Sequence, residues 1–119
     1  MNILVADDEP LLLRAIEGRL IKEGYIVRSA SDGQQVLERI AELAPDLIIT
    51  DIMMPYASGL EIIAAVRALP GRKVPVIILS SMGQEDVVLE AFRLGADDYI
   101  TKPFSPNELS VRVKRLLTA

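Results

Sequence analysis

Two apolar segments of the chain each end in carboxylates whose spacing is typical of a cation site. Residues 3–6 are followed directly by Asp7 and Asp8, and residues 47–50 are followed directly by Asp51. If the segments are neighbouring parallel strands, the three acids meet at one edge of the sheet, where they repel one another unless a cation neutralises them. Mg²⁺ prefers such hard oxygen ligands. The alternative is that each acid is a solvated turn residue or, for Asp8, a helix cap.

A hydroxyl group and an ammonium group are predicted beside the same carboxylates. Ser80 ends a fourth apolar segment, and Lys102 follows a fifth. Alone, a serine is most often a cap and a lysine a solvated surface charge. Together with a metal they form a site that can hold a phosphoryl group and stabilise charge on its oxygens. An aspartate carboxylate can attack phosphorus, and Asp51 is the best candidate because Asp7 and Asp8 resemble a metal-holding pair.

The bond between Lys102 and Pro103 is a candidate cis peptide. X-Pro bonds tolerate that isomer, and a tight turn there would direct Lys102 back over the acids. Alternatively, Pro103 only ends the strand before it.

Short apolar segments alternate along the chain with longer segments of helical periodicity. The predicted strands are residues 3–6, 25–29, 47–50, 76–79 and 98–100. The predicted helices begin near residue 10 and at serine caps Ser31, Ser58, Ser81 and Ser105, and the first four end by residues 24, 45, 69 and 95. The second helix is predicted to bury Val36, Leu37, Ile40 and Leu43, and the fourth to bury Val88 and Phe92.

Strict alternation of strands and helices predicts an α/β fold with a parallel sheet covered by helices on both faces. Right-handed crossovers favour a doubly wound, flavodoxin-like sheet of five strands in the order 2-1-3-4-5. In such sheets ligands bind beyond the carboxyl ends of the strands, at the switch between strands 1 and 3. Residues 1–119 are predicted to form one domain.

Composition excludes several classes of function. The net charge of -4 argues against binding nucleic acid or anionic membrane by electrostatics alone. The chain has no Cys and no His, so neither a thiolate zinc site nor a disulfide framework is expected. No signal peptide and no membrane span are expected, which predicts a cytoplasmic protein.

The chain resembles a response-regulator receiver domain of two-component signalling over its whole length. The resemblance rests on Asp7-Asp8-Glu9, on Asp51-Ile52-Met53-Met54-Pro55 followed by Gly59, on Ser80, and on residues 95–104 with the sequence Gly-Ala-Asp-Asp-Tyr-Ile-Thr-Lys-Pro-Phe. Each motif alone is weak, but the four in order, each at a strand end, are highly specific.

The resemblance implies roles for several of the matching residues. Asp51 would accept a phosphoryl group from a sensor histidine kinase or a phosphotransfer protein. Mg²⁺ would be held by Asp7, Asp8, Asp51 and the backbone carbonyl of Met53, and Ser80 and Lys102 would contact the phosphoryl oxygens, with the peptide bond before Pro103 cis. Tyr99 would be the switch aromatic: its ring would turn inward as Ser80 moves, remodelling the face of helix 4, strand 5 and helix 5. Alternatively, Tyr99 is only a half-buried strand residue.

The resemblance also raises the possibility of a homodimer through helix 4, strand 5 and helix 5. Asp97, Asp98, Arg112 and Arg115 are candidates for its ion pairs. Val87, Ala91 and Leu94 are predicted to form an apolar strip on helix 4, either ordinary surface or a partner contact.

Two further expectations concern turnover. Met53 and Met82 lie two residues after Asp51 and Ser80, and their apolar side chains are predicted to orient no attacking water, so that the phosphoryl group is long-lived. The chain is therefore expected to be a phosphoacceptor with slow autodephosphorylation and not a turnover enzyme.

Three alternatives compete with a phosphoacceptor. A nucleotide-binding enzyme is disfavoured because no Gly-rich phosphate loop follows any strand. A Mg-dependent aspartate-nucleophile phosphatase would carry Asp-x-Asp-x-Thr/Val at its nucleophile, whereas Asp51 is followed by Ile52 and Met53. A receiver-like interaction module that works without phosphorylation would not need the complete set of acids, hydroxyl and lysine.

Overall fold

The computed structural model describes residues 1–71 and 73–118, which form one five-stranded sheet with helices on both faces. The strands are β1 (Asn2–Ala6), β2 (Ile26–Ala30), β3 (Leu47–Asp51), β4 (Val76–Ser80) and β5 (Asp98–Thr101). All neighbours pair in parallel, in the order β2-β1-β3-β4-β5. The predicted doubly wound topology is confirmed.

Five helices complete the fold: α1 (Pro10–Lys22), α2 (Gly33–Leu43), α3 (Gly59–Arg67), α4 (Glu85–Leu94) and α5 (Pro106–Thr118). Successive residues of a strand point to opposite faces, so Ile48 of β3 packs with α2, α3 and α4, whereas Ile49 packs with α1 and α5. Both faces of β3 are therefore buried, which explains its continuous apolar sequence. Within the described ranges, no helix has the length and apolar character that a membrane crossing requires.

Two of the four predicted serine caps are confirmed. Ser58 forms a full capping box with Glu61, and Ser105 Oγ accepts a hydrogen bond from the Glu108 amide at 3.1 Å. The predicted cap at Ser31 is wrong, because Asp32 Oδ1 accepts the bond from the Gln35 amide at 2.9 Å and the helix begins one residue later. A carboxylate is a strong acceptor for the orphan amides at a helix start.

The predicted cap at Ser81 is also wrong. Helix α4 begins only after Gln84, whose side chain folds back to accept a hydrogen bond from the Ser81 amide at 2.6 Å and makes no cap bond to the helix. Gly83 has a φ of 88°, so the chain turns between these residues instead of entering the helix.

Two predicted core residues are exposed. In α4 the buried pair is Val88 and Ala91, at a spacing of three, and Phe92 lies at the rim with its ring edge against Tyr99. The apolar strip predicted on α4 is therefore wrong, since Ala91 is buried and Val87 packs against the core. In α2, Leu37 is exposed while Val36 and Ile40 are buried. In both helices the predicted apolar stripe included one residue, Phe92 or Leu37, that lies next to the buried residues but is itself exposed.

The four charged residues proposed for dimer ion pairs have partners within the chain. Asp98 is buried and lies 2.7 Å from Arg112 and 2.9 Å from Arg115. Asp97 lies 2.8 Å from Arg67, whose guanidinium also bonds the carbonyl of Gly95. A dimer that used these groups would have to rearrange existing pairs.

A partly buried polar contact joins the C-cap of α1 to α5 and makes the stability of the protein dependent on pH. Ser110 Oγ donates to Glu23 Oε2 at 2.6 Å, and Arg19 Nε lies 3.3 Å from the same oxygen. The Ser110 hydrogen bond lowers the pKa of Glu23 from 4.5 more than burial raises it. Because the folded pKa lies below the unfolded one, this contribution to stability is present above pH 4.5 and is lost as the pH falls through the folded pKa.

We expect Ser110→Ala to lower the free energy of unfolding by about 1 to 2 kcal/mol at pH 7, because the carboxylate loses its principal donor. The difference from the wild type should shrink at pH values where Glu23 is protonated. Urea unfolding curves at neutral and acidic pH measure both effects. Ser81→Ala, at an exposed serine, is the matched control and should change little; an equal loss at both pH values would contradict the assignment.

Candidate functional site

The carboxyl ends of the central strands lie level with one another and bring the predicted acids together. Ala6 of β1 is in register with Thr50 of β3, which immediately precedes Asp51. One carboxylate oxygen each from Asp7, Asp8 and Asp51 lies within 4.8 Å of the others. The predicted acid cluster is therefore present in the fold.

The three acids differ in exposure and local bonding. Asp7 is fully buried, and its Oδ1 accepts a hydrogen bond from the Glu9 amide at 2.9 Å, which holds the chain as it enters α1. Asp51 is 8% exposed, and its Oδ1 accepts from the Met53 amide at 3.2 Å. Asp8 is exposed. The arrangement places one solvent-facing and two recessed carboxylates around a single point.

Lys102 partly neutralises this cluster. Its Nζ lies 2.9 Å from Asp7 Oδ2, 3.1 Å from Asp51 Oδ2 and 3.1 Å from Glu9 Oε1. The Lys102-Pro103 peptide bond is cis, as predicted, and the Lys102 amide donates to the carbonyl of Ser80. Sequence reasoning gave Glu9 no role, although its place beside Asp7 and Asp8 in an acidic triplet was a signal.

Burial and pairing have opposite effects on the titration of these groups. Burial raises the pKa of Asp51 above 3.8, and the hydrogen bonds from Lys102 and from the Met53 amide reduce the rise without cancelling it. Burial lowers the pKa of Lys102, but its bonds to Asp7, Asp51 and Glu9 outweigh burial and raise it. Lys102 therefore stays protonated, whereas keeping Asp51 ionised inside the protein costs free energy.

The donor set fits a hard divalent cation. All three acids supply oxygen ligands, the type that Mg²⁺ prefers. Asp7 Oδ2 is buried and ion-paired with Lys102 but accepts no hydrogen bond of good geometry, so it retains an unused lone pair. These residues could hold a metal.

Two glycines shape the loop that follows Asp51. A Cβ on Gly59 would lie 2.8 Å from Ile52 Cα and 2.9 Å from the Asp51 carbonyl oxygen. A Cβ on Gly33, at the start of α2, would lie 2.0 Å from the Ala57 carbonyl oxygen. The loop can close against β3 and α2 only because both positions lack a side chain.

Ser80 and Tyr99 lie on the neighbouring strands β4 and β5. Ser80 is buried at the end of β4, in register with Thr101 of β5. The Tyr99 ring is 42% exposed and meets the Phe92 ring edge-on, with centroids 5.8 Å apart. A cavity of about 440 Å³ separates α4 from β5, and both Ser80 and Tyr99 line it. The predicted switch residues thus share one cavity, with the tyrosine ring facing outward.

Comparisons with known proteins agree with this geometry. The sequence model of the response regulator receiver domain family matches residues 3–114. Response regulator RR06 of Streptococcus pneumoniae is 44% identical over 117 residues, 98% of this chain and 53% of that protein. The alkaline phosphatase synthesis transcriptional regulatory protein PhoP of Bacillus subtilis is 39% identical over 116 residues, 98% of this chain and 48% of that protein.

A solved structure shares the whole fold. The receiver domain of the Francisella response regulator 1452 has a TM-score of 0.88 and 36% identity, and the match covers 98% of this chain and 96% of that one. The chain spans about half the length of the curated relatives it matches. Since the family match runs from residue 3 to residue 114, the chain belongs to the response regulator receiver domains of two-component signalling.

Proposed function

We propose that Asp51 accepts a phosphoryl group in a Mg²⁺-dependent reaction and that residues 1–119 act as one receiver domain. The proposal rests on the position of Asp51 Oδ2. It is recessed, 3.1 Å from the Lys102 ammonium, and it belongs to the same cluster as Asp7 and Asp8. The proposed nucleophile therefore lies beside a cation and beside two acids that could hold a metal.

The proposed reaction transfers the phosphoryl group from a phosphohistidine of the donor to Asp51. An Asp51 carboxylate oxygen attacks phosphorus, the bond between phosphorus and the imidazole nitrogen breaks, and that nitrogen keeps the electron pair and takes up a proton. Asp7, Asp8, Asp51 and the Met53 carbonyl would hold Mg²⁺, which when bound supplies positive charge to the phosphoryl oxygens. Lys102 and Ser80 would donate hydrogen bonds to the same oxygens.

The switch that follows is proposed to run from Ser80 to Tyr99. A Ser80 hydroxyl drawn toward the phosphoryl group would leave space on its cavity side, and the Tyr99 ring would turn into the cavity that both residues line. That movement would remove the ring from Phe92 and change the surface of α4, β5 and α5. Phosphorylation of Asp51 would thereby shift the equilibrium between the outward and inward positions of the Tyr99 ring.

The proposed partners follow from this chemistry. Receiver domains interact with histidine kinases, and we infer that a sensor kinase or a phosphotransfer protein is the donor here. A homodimer through α4, β5 and α5 is a second proposed contact. We assign the domain no direct binding of nucleic acid and no steady turnover of substrate; within the described residues, no feature favours a phosphatase or a phosphorylation-independent module.

A small phosphodonor tests the proposal directly. Incubation with acetyl phosphate and Mg²⁺ should add one phosphoryl group per chain, measured by intact mass, and chelation of Mg²⁺ should prevent it. Steady hydrolysis of an aryl phosphate without a stable protein adduct would support the phosphatase alternative instead.

We expect Met53→Asn to shorten the lifetime of the phosphoryl group several-fold. The backbone amide of Met53 bonds Asp51 and its apolar side chain is exposed, so an amide side chain at this position can hydrogen-bond a water molecule near phosphorus. The decay of the phosphorylated protein after removal of the donor measures the effect. Leu11→Asn, at an exposed position in α1, is the control, and a lifetime that Met53→Asn leaves unchanged or lengthens would refute the hypothesis.

A further inference from the structure

Tyr56 has a backbone conformation that a bulky residue seldom adopts. Its φ is 71°, in the left-handed region, where a Cβ approaches the following carbonyl oxygen. Among the described residues, the only other non-glycine position with positive φ is Ala44, which follows α2 at the opposite edge of the sheet. Such strain persists only where the surrounding structure enforces it, and it is concentrated at functional sites.

The neighbours of Tyr56 enforce its conformation. The Pro55 carbonyl accepts hydrogen bonds from the Gly33 amide at 3.2 Å and the Ala57 amide at 2.9 Å. Ala57 is buried in the space that Gly33 leaves open. The backbone on both sides of Tyr56 is thus fixed, and the tyrosine occupies the apex of the loop between Asp51 and α3.

The side chain does not compensate for this strain inside the protein. The Tyr56 side chain is 84% exposed. In the ranges 1–71 and 73–118, its ring has no aromatic partner and its hydroxyl makes no hydrogen bond. A glycine would fit the same backbone without strain, and no hydrogen bond or ring contact among the described residues favours a tyrosine here, which points to a contact with a partner molecule.

The position of Tyr56 indicates what that contact is. Asp51 is only 8% exposed, so a phosphoryl donor must enter its recess, and the loops around the recess carry the exposed side chains of Met53, Tyr56 and Met82. A small donor can pass between these groups, but a protein donor has to cover them. The recess is acidic and the chain carries a charge of -4, which disfavours a polyanionic donor such as a nucleoside triphosphate.

We propose that Tyr56 is a docking and specificity residue for protein phosphodonors. Its ring packs on apolar side chains that flank the phosphohistidine of the donor, so that binding of the protein, and not the chemistry at Asp51, depends on it. This inference rests on the proposed phosphoacceptor function of Asp51.

The test compares two donors on the same variants. Tyr56→Gly removes the ring and the strain, and Tyr56→Phe keeps the ring. Phosphorylation by phosphoramidate, a small donor with a P–N bond, should proceed at the wild-type rate in both. Transfer from the autophosphorylated sensor kinase that phosphorylates the wild-type chain should fall at least about tenfold in Tyr56→Gly, mainly through a higher KM, and be retained in Tyr56→Phe.

Ala44→Gly is the matched control, because it relieves positive φ at a position remote from Asp51. Neither glycine variant should lower the Tm, and Ala44→Gly should leave both donor reactions unchanged. Equal slowing of both donors by Tyr56→Gly would place the ring in the chemistry and overturn the proposal, as would unchanged transfer from the kinase. Failure of the wild type to accept phosphate from phosphoramidate would instead refute the function of Asp51.

Discussion

Asp51→Asn is expected to reduce phosphorylation from about one group per chain to none. Asparagine keeps the size of the side chain and an oxygen that can accept the Met53 amide, but its neutral amide is a poor nucleophile and forms no stable acyl phosphate. Asp7 is fully buried, and Asp7 and Asp8 are assigned to the metal in the proposed reaction, so we expect neither to replace it. Intact mass after acetyl phosphate and Mg²⁺ treatment measures the result.

The matched control is Asp32→Asn. Asp32 caps α2 by accepting the Gln35 amide, and asparagine caps a helix equally well, so the same chemical change should leave phosphorylation intact. A phosphoryl group that survives Asp51→Asn would overturn the assignment of the acceptor. Loss of phosphorylation in both variants would show that the reaction depends on the total negative charge of the protein and not on Asp51 as the nucleophile.

The topology and most of the site could be predicted because β1, β3, β4 and β5 each end at or beside a residue that can take part in chemistry. Apolar segments that are buried on both faces have to be central parallel strands, and parallel strands deliver their carboxyl ends to one edge. Asp7, Asp51 and Ser80 could therefore be predicted to lie together from the sequence alone. The close approach of Lys102 to two of the acids then follows from the turn at Pro103.

Details that depend on tertiary contacts could not be predicted from local pattern. The orientation of α4 is decided by how Val88 and Ala91 meet the sheet, and a periodicity of 3.6 residues allows Phe92 in that contact equally well. The strain at Tyr56 arises because the Pro55 carbonyl accepts hydrogen bonds from Ala57 and from Gly33, which lies in α2. A single loop sequence contains no sign of it.

Lys102→Met is expected to lower the free energy of unfolding by about 3 kcal/mol in the presence of a chelator, because it leaves the buried carboxylates of Asp7 and Asp51 without their cation. Methionine keeps much of the apolar stem, so packing changes little. The loss should be smaller at acidic pH, where protonation of Asp51, whose pKa is raised by burial, removes its repulsion with Asp7. Urea unfolding with excess chelator at neutral pH measures the effect.

The same variant distinguishes charge compensation from a simple packing role. With Lys102 absent, the cluster is more negative, so millimolar Mg²⁺ should stabilise Lys102→Met more than it stabilises the wild type. Lys73→Met is the control: Lys73 is 67% exposed and paired with Asp97 at 3.4 Å, so its loss should cost well under about 1 kcal/mol and leave the response to Mg²⁺ unchanged. A Lys102→Met protein that Mg²⁺ stabilises no more than it stabilises the wild type would show that Lys102 does not act by compensating the charge of Asp7 and Asp51.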